Sequence, residues 1–449
     1  MWRHITRVTK IPREERIERL TRSFKKFTKA QGSSSIVLLG CTIVALIWAN
    51  VWLNSYTNLW QTELVIGIGR FVLAKPLILW ISDGLMTVFF FLIGLEIKRE
   101  LLVGELSTPK KAIFPIFAAL GGMLMPAVFY TALNAGKEGV LGFGIPMATD
   151  IAFSLGVLTL MGKRINPSLK VFLATSAIVD DIGAILVIAL FYTTKISWIS
   201  LVIGFGFLIG AAAANWADVR HPLIYAILGI GLWLAILTSG FHATVAGVLL
   251  SLTVPATIRI ERKKFIELSR NLVVEFQEAC TDKEGVFTTA AQHAALQKLE
   301  TSCQHVETPL QRMEHSLHYW VAFIIMPIFA LANAGVNFSG NISTALVHPV
   351  TLGVVVGLIV GKQIGIFLFA WISVRIGLAV MPTGVNWQQI YGISWLGGIG
   401  FTMSLLIAHL AFEGLPLLFM AKIGILIASF IAGVVGWVIL RQVCPALEK

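Results

Sequence analysis

Two aspartates, Asp180 and Asp181, stand side by side in ATSAIVDDIGAILVIALF, a run with no other charged residue. An ionised carboxylate in apolar surroundings is costly, so a pair of them marks an ion or proton path. Adjacent helical residues point about 100° apart, so both carboxylates can border one cavity without stacking on each other. Capping of a helix end is the plainer role for one of them, but the apolar run continues on both sides. In GFGIPMATDIAFSLG, Thr149 and Asp150 follow Gly142, Gly144 and Pro146. Proline removes an amide donor and glycine weakens a helix, so this stretch is expected to be extended and to free carbonyls that can meet a cation. WLGGIGFTMSLL carries a matching interruption at Gly397, Gly398 and Gly400. Small residues for close helix packing are the alternative for the glycines alone. Lys362, in VVGLIVGKQIGIFLF, needs a carboxylate partner in such a setting, and the central aspartates are the candidates.

These groups need a membrane around them to matter in this way. The 449 residues are 56% hydrophobic and 13% charged, against roughly 45–50% and about 25% in soluble domains. One globular core cannot enclose so many apolar side chains, so lipid is the solvent. Runs long enough to cross a bilayer fall near 36–54, 77–95, 112–134, 139–162, 168–194, 197–216, 222–240, 243–257, 317–336, 349–374, 390–412 and 417–440. The fold class is therefore an all-α polytopic membrane protein of about twelve spans. Two interrupted spans, at corresponding places in two three-span units, indicate inverted repeats around a midplane site.

The net charge of +11 resides in connections between apolar runs rather than in a patch with interleaved aromatics, so nucleic acid is not an expected partner. Residues 1–35 form a basic region expected to stay in the cytoplasm ahead of an uncleaved first span. Lys98–Arg99, Lys163–Arg164, Arg220, the run from Arg259 to Lys264, Arg375 and Arg441 then fall on the same side, which puts both termini in the cytoplasm. The transmembrane part is 36–441 and the tail 442–449. Residues 55–76 are too polar to span and alternate like an external β-hairpin with Gly67 and Gly69 near its bend. Residues 258–313 form a long cytoplasmic loop with a helix-like stretch over 290–299. The four cysteines lie at unrelated spacings and suggest neither a disulfide framework nor a zinc site; no cofactor is expected.

The runs FFFLIGLEIKREL, PMATDIAFSLGVL, AIVDDIGAIL, TSGFHATVAG, LQRMEHSLH, MPIFALANAGV, GKQIGIFLF and GGIGFTMSLLIAHLAF resemble signatures of the NhaA-type sodium/proton antiporters, from the second span to the eleventh. That family is itself a standard example of the inverted-repeat architecture. The resemblance implies the NhaA fold, with two unwound helices crossing and an ion site at Asp180 and Asp181. It implies that Asp150 and Thr149 lie at the crossing, that Lys362 pairs with Asp180, and that the chain forms a homodimer through the hairpin. It also implies pH-responsive residues at Glu96, Arg99, Glu100, Glu314, His315 and His318, with His242 at the outer end of the eighth span. The expected function is exchange of intracellular sodium, and lithium, for external protons in a bacterial inner membrane. Alternating access, electrogenic turnover and activation at alkaline pH are expected with it, in the service of pH and sodium homeostasis. Tyr319 departs from the proline that many relatives carry, and the 258–313 segment is longer than in compact members.

An enzyme is not expected. An intramembrane aspartyl protease needs YD and GxGD sequences, and neither is present. A channel gives no reason for a buried lysine opposite aspartates, and a bile-acid-type symporter gives none for the Asp180–Asp181 pair.

Overall fold

A computed structural model describes residues 13–68, 71–192, 196–279, 288–338 and 342–444. The hairpin bend at Gly69, residues 1–12 of the basic region and residues 445–449 of the tail lie outside the described residues. In lipid every backbone polar group must be satisfied within its own segment, and helices dominate accordingly. Among the described residues eight are long and apolar enough to cross a membrane: Gly32–Val51, Leu77–Val103, Lys111–Asn134, Pro167–Phe191, Trp198–Trp216, Pro309–Asn333, Pro349–Arg375 and Leu417–Val443. Two more spans are broken, Glu138–Met147 with Ile151–Leu160 bent by 41°, and Trp387–Gly397 with Phe401–Ala411 bent by 43°. The shorter helices Pro222–Leu237 and Thr244–Thr253 fill the two remaining positions expected from the sequence.

Local chemistry sets the starts. Proline opens the helices at Pro109, Pro167, Pro222, Pro309 and Pro349, where its missing amide costs nothing. Thr308 forms a capping box with Gln311, so the ninth span begins well before the expected residue 317 and runs through Tyr319 unbroken.

The chain divides into two compact units. The first holds the described parts of Met1–Ser82, Glu105–Tyr192 and Ala322–Lys449. In it the order long span, broken span, long span occurs twice, at 111–191 and at 349–443. Lys111–Asn134 and Pro349–Arg375, the equivalent members, pack antiparallel, as inverted repeats require. Asn134 Nδ2 donates to the Pro349 carbonyl at 3.1 Å, while Gly121 meets Gly365 at the other end. A Cβ on Gly121 would stand 2.1 Å from the Gly365 carbonyl oxygen, so only glycine lets these backbones touch. Gly121→Val is expected to cost about 2 kcal/mol or more through overpacking, read as a lower melting temperature in detergent. Gly206→Val, whose Cβ would meet nothing within 4 Å, should be silent.

The hairpin pairs Glu63–Ile68 with Phe71–Pro76 in a register from Glu63↔Pro76 to Ile68↔Phe71. It is shorter than expected, because residues 53–61 are helical. Tyr56 and Trp60, at the i,i+4 spacing of a helix face, bury against Trp48. Tyr56 Oη donates to the Ala332 carbonyl at 2.8 Å and accepts from Gly335 N at 3.1 Å.

The second unit comprises Asp83–Gly104 and the described parts of Thr193–Val321. Here Thr244–Thr253 runs parallel to Leu77–Val103, with Gly247 against Thr87 and Gly94 against Ser251. Lys98 Nζ closes the end of the shorter helix by donating to Leu252 O at 2.7 Å and Val254 O at 2.6 Å. The long connection contributes Arg262–Glu278 and Ala290–Val306, the second extending the stretch expected over 290–299. The chain passes between units at Ser82–Asp83, at Gly104–Glu105, between positions 192 and 193, and at Val321–Ala322. The first and last of these fall inside π-helical turns, Trp80–Leu85 and Val321–Ile325, which sequence patterning does not announce.

Candidate ion site

Within the first unit the two broken spans cross at their interruptions. Residues 138–147 wind as a 3-10 helix through Gly142, Gly144 and Pro146, so the extended backbone lies just after them, at 148–150, rather than around the glycines as expected. The partner span opens at 398–400. The strands of the crossing are sewn together by the groups that unwinding released. Asp150 N donates to Ile399 O at 2.7 Å, Ser154 Oγ to Leu396 O at 2.8 Å, and Ser404 Oγ to Ile145 O at 2.7 Å.

Asp150 caps two helices. Its carboxylate accepts from Phe153 N at 3.1 Å, in its own helix, and from Thr402 N at 2.9 Å at the start of Phe401–Ala411. The Thr402 hydroxyl donates to the same oxygen. Two half-helix N-termini, each with positive dipole character, thus share one negative charge. Thr402 was absent from the expected site, although a hydroxyl just past a broken glycine turn is a capping signal. Asp150→Ala is expected to cost about 2 kcal/mol or more by uncapping both ends, against ~1 kcal/mol for Thr402→Ala, as measured by thermal unfolding.

Asp180 and Asp181 lie in Pro167–Phe191 and are buried at 2% and 0% exposure. Lys362 Nζ reaches Asp180 Oδ2 at 2.5 Å, with both side chains out of solvent. The lysine also donates to Thr149 Oγ1 at 2.9 Å. The Thr149 hydroxyl, with one hydrogen, stands 2.7 Å from Asp180 Oδ2 and 2.9 Å from Gly397 O. It can donate to only one at a time, so it can either support the carboxylate or return to the crossing backbone. Lys362 sits half-way along Pro349–Arg375, immediately after a π-helical turn over Gly357–Gly361. Such turns are frequent at functional sites, and this one too is invisible in the hydropathy pattern.

Asp180, Thr149, Lys362 and the crossing therefore come together, with Asp181 next in the helix. The expected pH-responsive residues belong to the second unit. Arg99 bridges Glu314 at 2.5 Å and Glu100 at 3.1 Å. Glu96 is in electrostatic reach of all three, and His315 and His318 lie on the same helix as Glu314. His242 does not join them. It precedes Thr244–Thr253 at the end away from Lys98, so it belongs to the opposite end of the span that carries Arg99.

An unwound crossing that seats buried carboxylates inside membrane-spanning helices is the architecture of a secondary cation transporter, where freed backbone and carboxylate oxygens hold the ion. Comparison with known proteins agrees. The family model described as Na+/H+ antiporter 1 matches residues 25–440. The chain is 49% identical over 418 residues to a protein of Koribacter versatilis named Na(+)/H(+) antiporter NhaA, covering 93% of this chain and 90% of that one. It is 47% identical over 426 residues to one of the same name from Oleidesulfovibrio alaskensis, covering 95% of each. Among solved structures, the sodium proton antiporter MjNhaP1 from Methanocaldococcus jannaschii aligns over 94% of this chain and 96% of its own, with TM-score 0.45 and 13% identity. The chain belongs to the Na+/H+ antiporter 1 family: it is a multi-pass secondary transporter of sodium and protons, not an enzyme.

Proposed function

We propose that Asp180 and Asp181 form one site for which sodium and protons compete, and that the protein exports sodium, and lithium, in exchange for entering protons. The observation that carries this reading is the buried contact of Lys362 with Asp180, 2.5 Å long, beside Thr149 and next to Asp181. A small hard cation prefers oxygen ligands. Deprotonated carboxylates, the Thr149 hydroxyl and carbonyls freed at the crossing supply them. Lys362 is the counter-charge beside Asp180 while the site is empty of sodium, and an arriving cation takes over that role.

If two protons leave for each sodium bound, exchange moves net charge, and the membrane potential drives it with roughly 2.3 kcal/mol per charge per 100 mV. Alternating access fits a chain in which two of the four crossovers between units fall in π-helical turns, where the helical ladder is loosened. The basic connections support cytoplasmic termini in a bacterial inner membrane. A two-stranded hairpin is marginal alone, and its exposed Leu64, Val65, Ile66 and Val72 support a homodimer through it. Deleting 63–76 should then give monomers in detergent, as measured by size-exclusion chromatography with light scattering.

Activity is expected to rise from acidic to alkaline pH. Protons displace sodium from carboxylates as pH falls, and competition alone predicts that enough sodium restores the rate. A regulatory role for Glu96, Arg99, Glu100, Glu314, His315, His318 and His242 predicts a residual acid-side loss at saturating sodium, moved by Glu96→Ala or His315→Ala. Exchange in proteoliposomes over a grid of pH and sodium separates the two. Loss that vanishes at high sodium, with no substitution moving the curve, removes the regulatory role and leaves the antiporter. Failure of sodium to drive any proton release removes the antiporter reading.

A further inference from the structure

Among the described residues, Arg262–Glu278, the first helix of the long connection, uses one of its faces inside the second unit. That face buries Leu272 and half-buries Phe265, Leu268 and Phe276, and it packs on Ala290–Val306, with Lys298 bridging Glu275 at 2.9 Å outside the contact. Helical periodicity places Lys263, Ile266, Arg270, Val273 and Val274 together on the opposite face. All five are exposed, the aliphatics by 56%, 48% and 49% in chain order. The entry to this helix, IRIERKK over 258–264, carries four bases against one acid.

Position restricts what can meet this face. Thr253 ends the preceding membrane helix, and Arg259 N and Ile260 N both donate to His305 O, at 3.1 and 3.3 Å, so the root of the helical pair is closed within a few residues of the bilayer. The chain re-enters the next span at Pro309. The composition of the face also discriminates. Protein hot spots are built from Trp, Tyr and Arg in well-packed pockets, whereas this face has β-branched aliphatics between bases, with Gln277 among them and one acid, Glu267, at its edge, and no aromatic. Shallow apolar side chains interleaved with lysine and arginine suit an interface in which methyl groups enter the acyl boundary and the bases meet phosphates.

We propose that this face lies on the bilayer surface beside its root and binds the headgroups of anionic phospholipids. The test uses the full chain with Cys41, Cys280, Cys303 and Cys444 replaced by serine, and an environment-sensitive fluorophore on Ile266→Cys. The protein is reconstituted in phosphatidylcholine vesicles with or without phosphatidylglycerol, and quenching by a spin-labelled lipid is measured. Quenching should be about twofold or more stronger in the anionic vesicles, because headgroup charge holds the face down. Added salt should reverse the difference, since it screens exposed charges. Lys263→Gln with Lys264→Gln and Arg270→Gln should bring quenching to the neutral-vesicle level, and a label on Leu296→Cys, on the second helix, should stay unquenched. Equal quenching in both vesicles, or none, overturns the proposal; so does insensitivity to salt. Shielding that persists in detergent together with Ile266→Cys cross-links between protomers assigns the face to a second copy instead.

Discussion

Asp181→Asn is expected to lower sodium-driven proton release to below about 1% of wild type while leaving a folded, membrane-inserted protein. Asparagine keeps the shape but offers neither a negative charge to a cation nor a proton that can leave at physiological pH. Asp180→Asn is expected to be equally inactive, with a further consequence. It removes the counter-ion that stands 2.5 Å from Lys362 Nζ in a site closed to solvent, so stability should fall as well. Exchange is measured as ion-driven pH change in proteoliposomes, and integrity as melting temperature and gel-filtration profile in detergent. Near-normal exchange by both variants would place the ion site elsewhere.

Lys362→Ala should have the largest effect on stability, about 3–5 kcal/mol, because it strands the Asp180 charge in a buried site. Its pH profile should shift with it, since Asp180 then ionises without a cation beside it. Lys362→Arg keeps the charge and should be milder. A double-mutant cycle decides between a structural and a transport role. Lys362→Ala in the Asp180→Asn background should cost far less than in the wild type, since no charge is left behind. Additive losses, or equal damage from alanine and arginine with unchanged melting temperature, would indicate that the lysine carries a transported proton instead.

Much of this was legible in the amino-acid order because a membrane imposes coarse rules. Lipid requires long apolar helices, and among the described residues ten of the twelve runs fall on helices or broken pairs long and apolar enough to cross, the other two on shorter apolar helices. Charge inside lipid is so costly that Asp180, Asp181 and Lys362 announce themselves without any knowledge of the fold. Glycine and proline in the fourth and eleventh runs locate the two breaks to within a few residues. Tyr56 and Trp60 read as part of a hairpin because alternation and helical spacing overlap over so short a segment, and burial against Trp48 places them on a helix. Hydropathy says which residues leave water, but not which atom each one meets. That Asp150 caps a second helix through Thr402, 252 positions away in sequence, follows only from the antiparallel crossing. That Thr149 faces both Asp180 and Gly397, that Lys362 chooses Asp180, and that π-helical turns precede the lysine and mark two of the crossovers between units are likewise consequences of packing. They depend on backbone angles and contacts of a few ångströms, which no periodicity of residue type encodes.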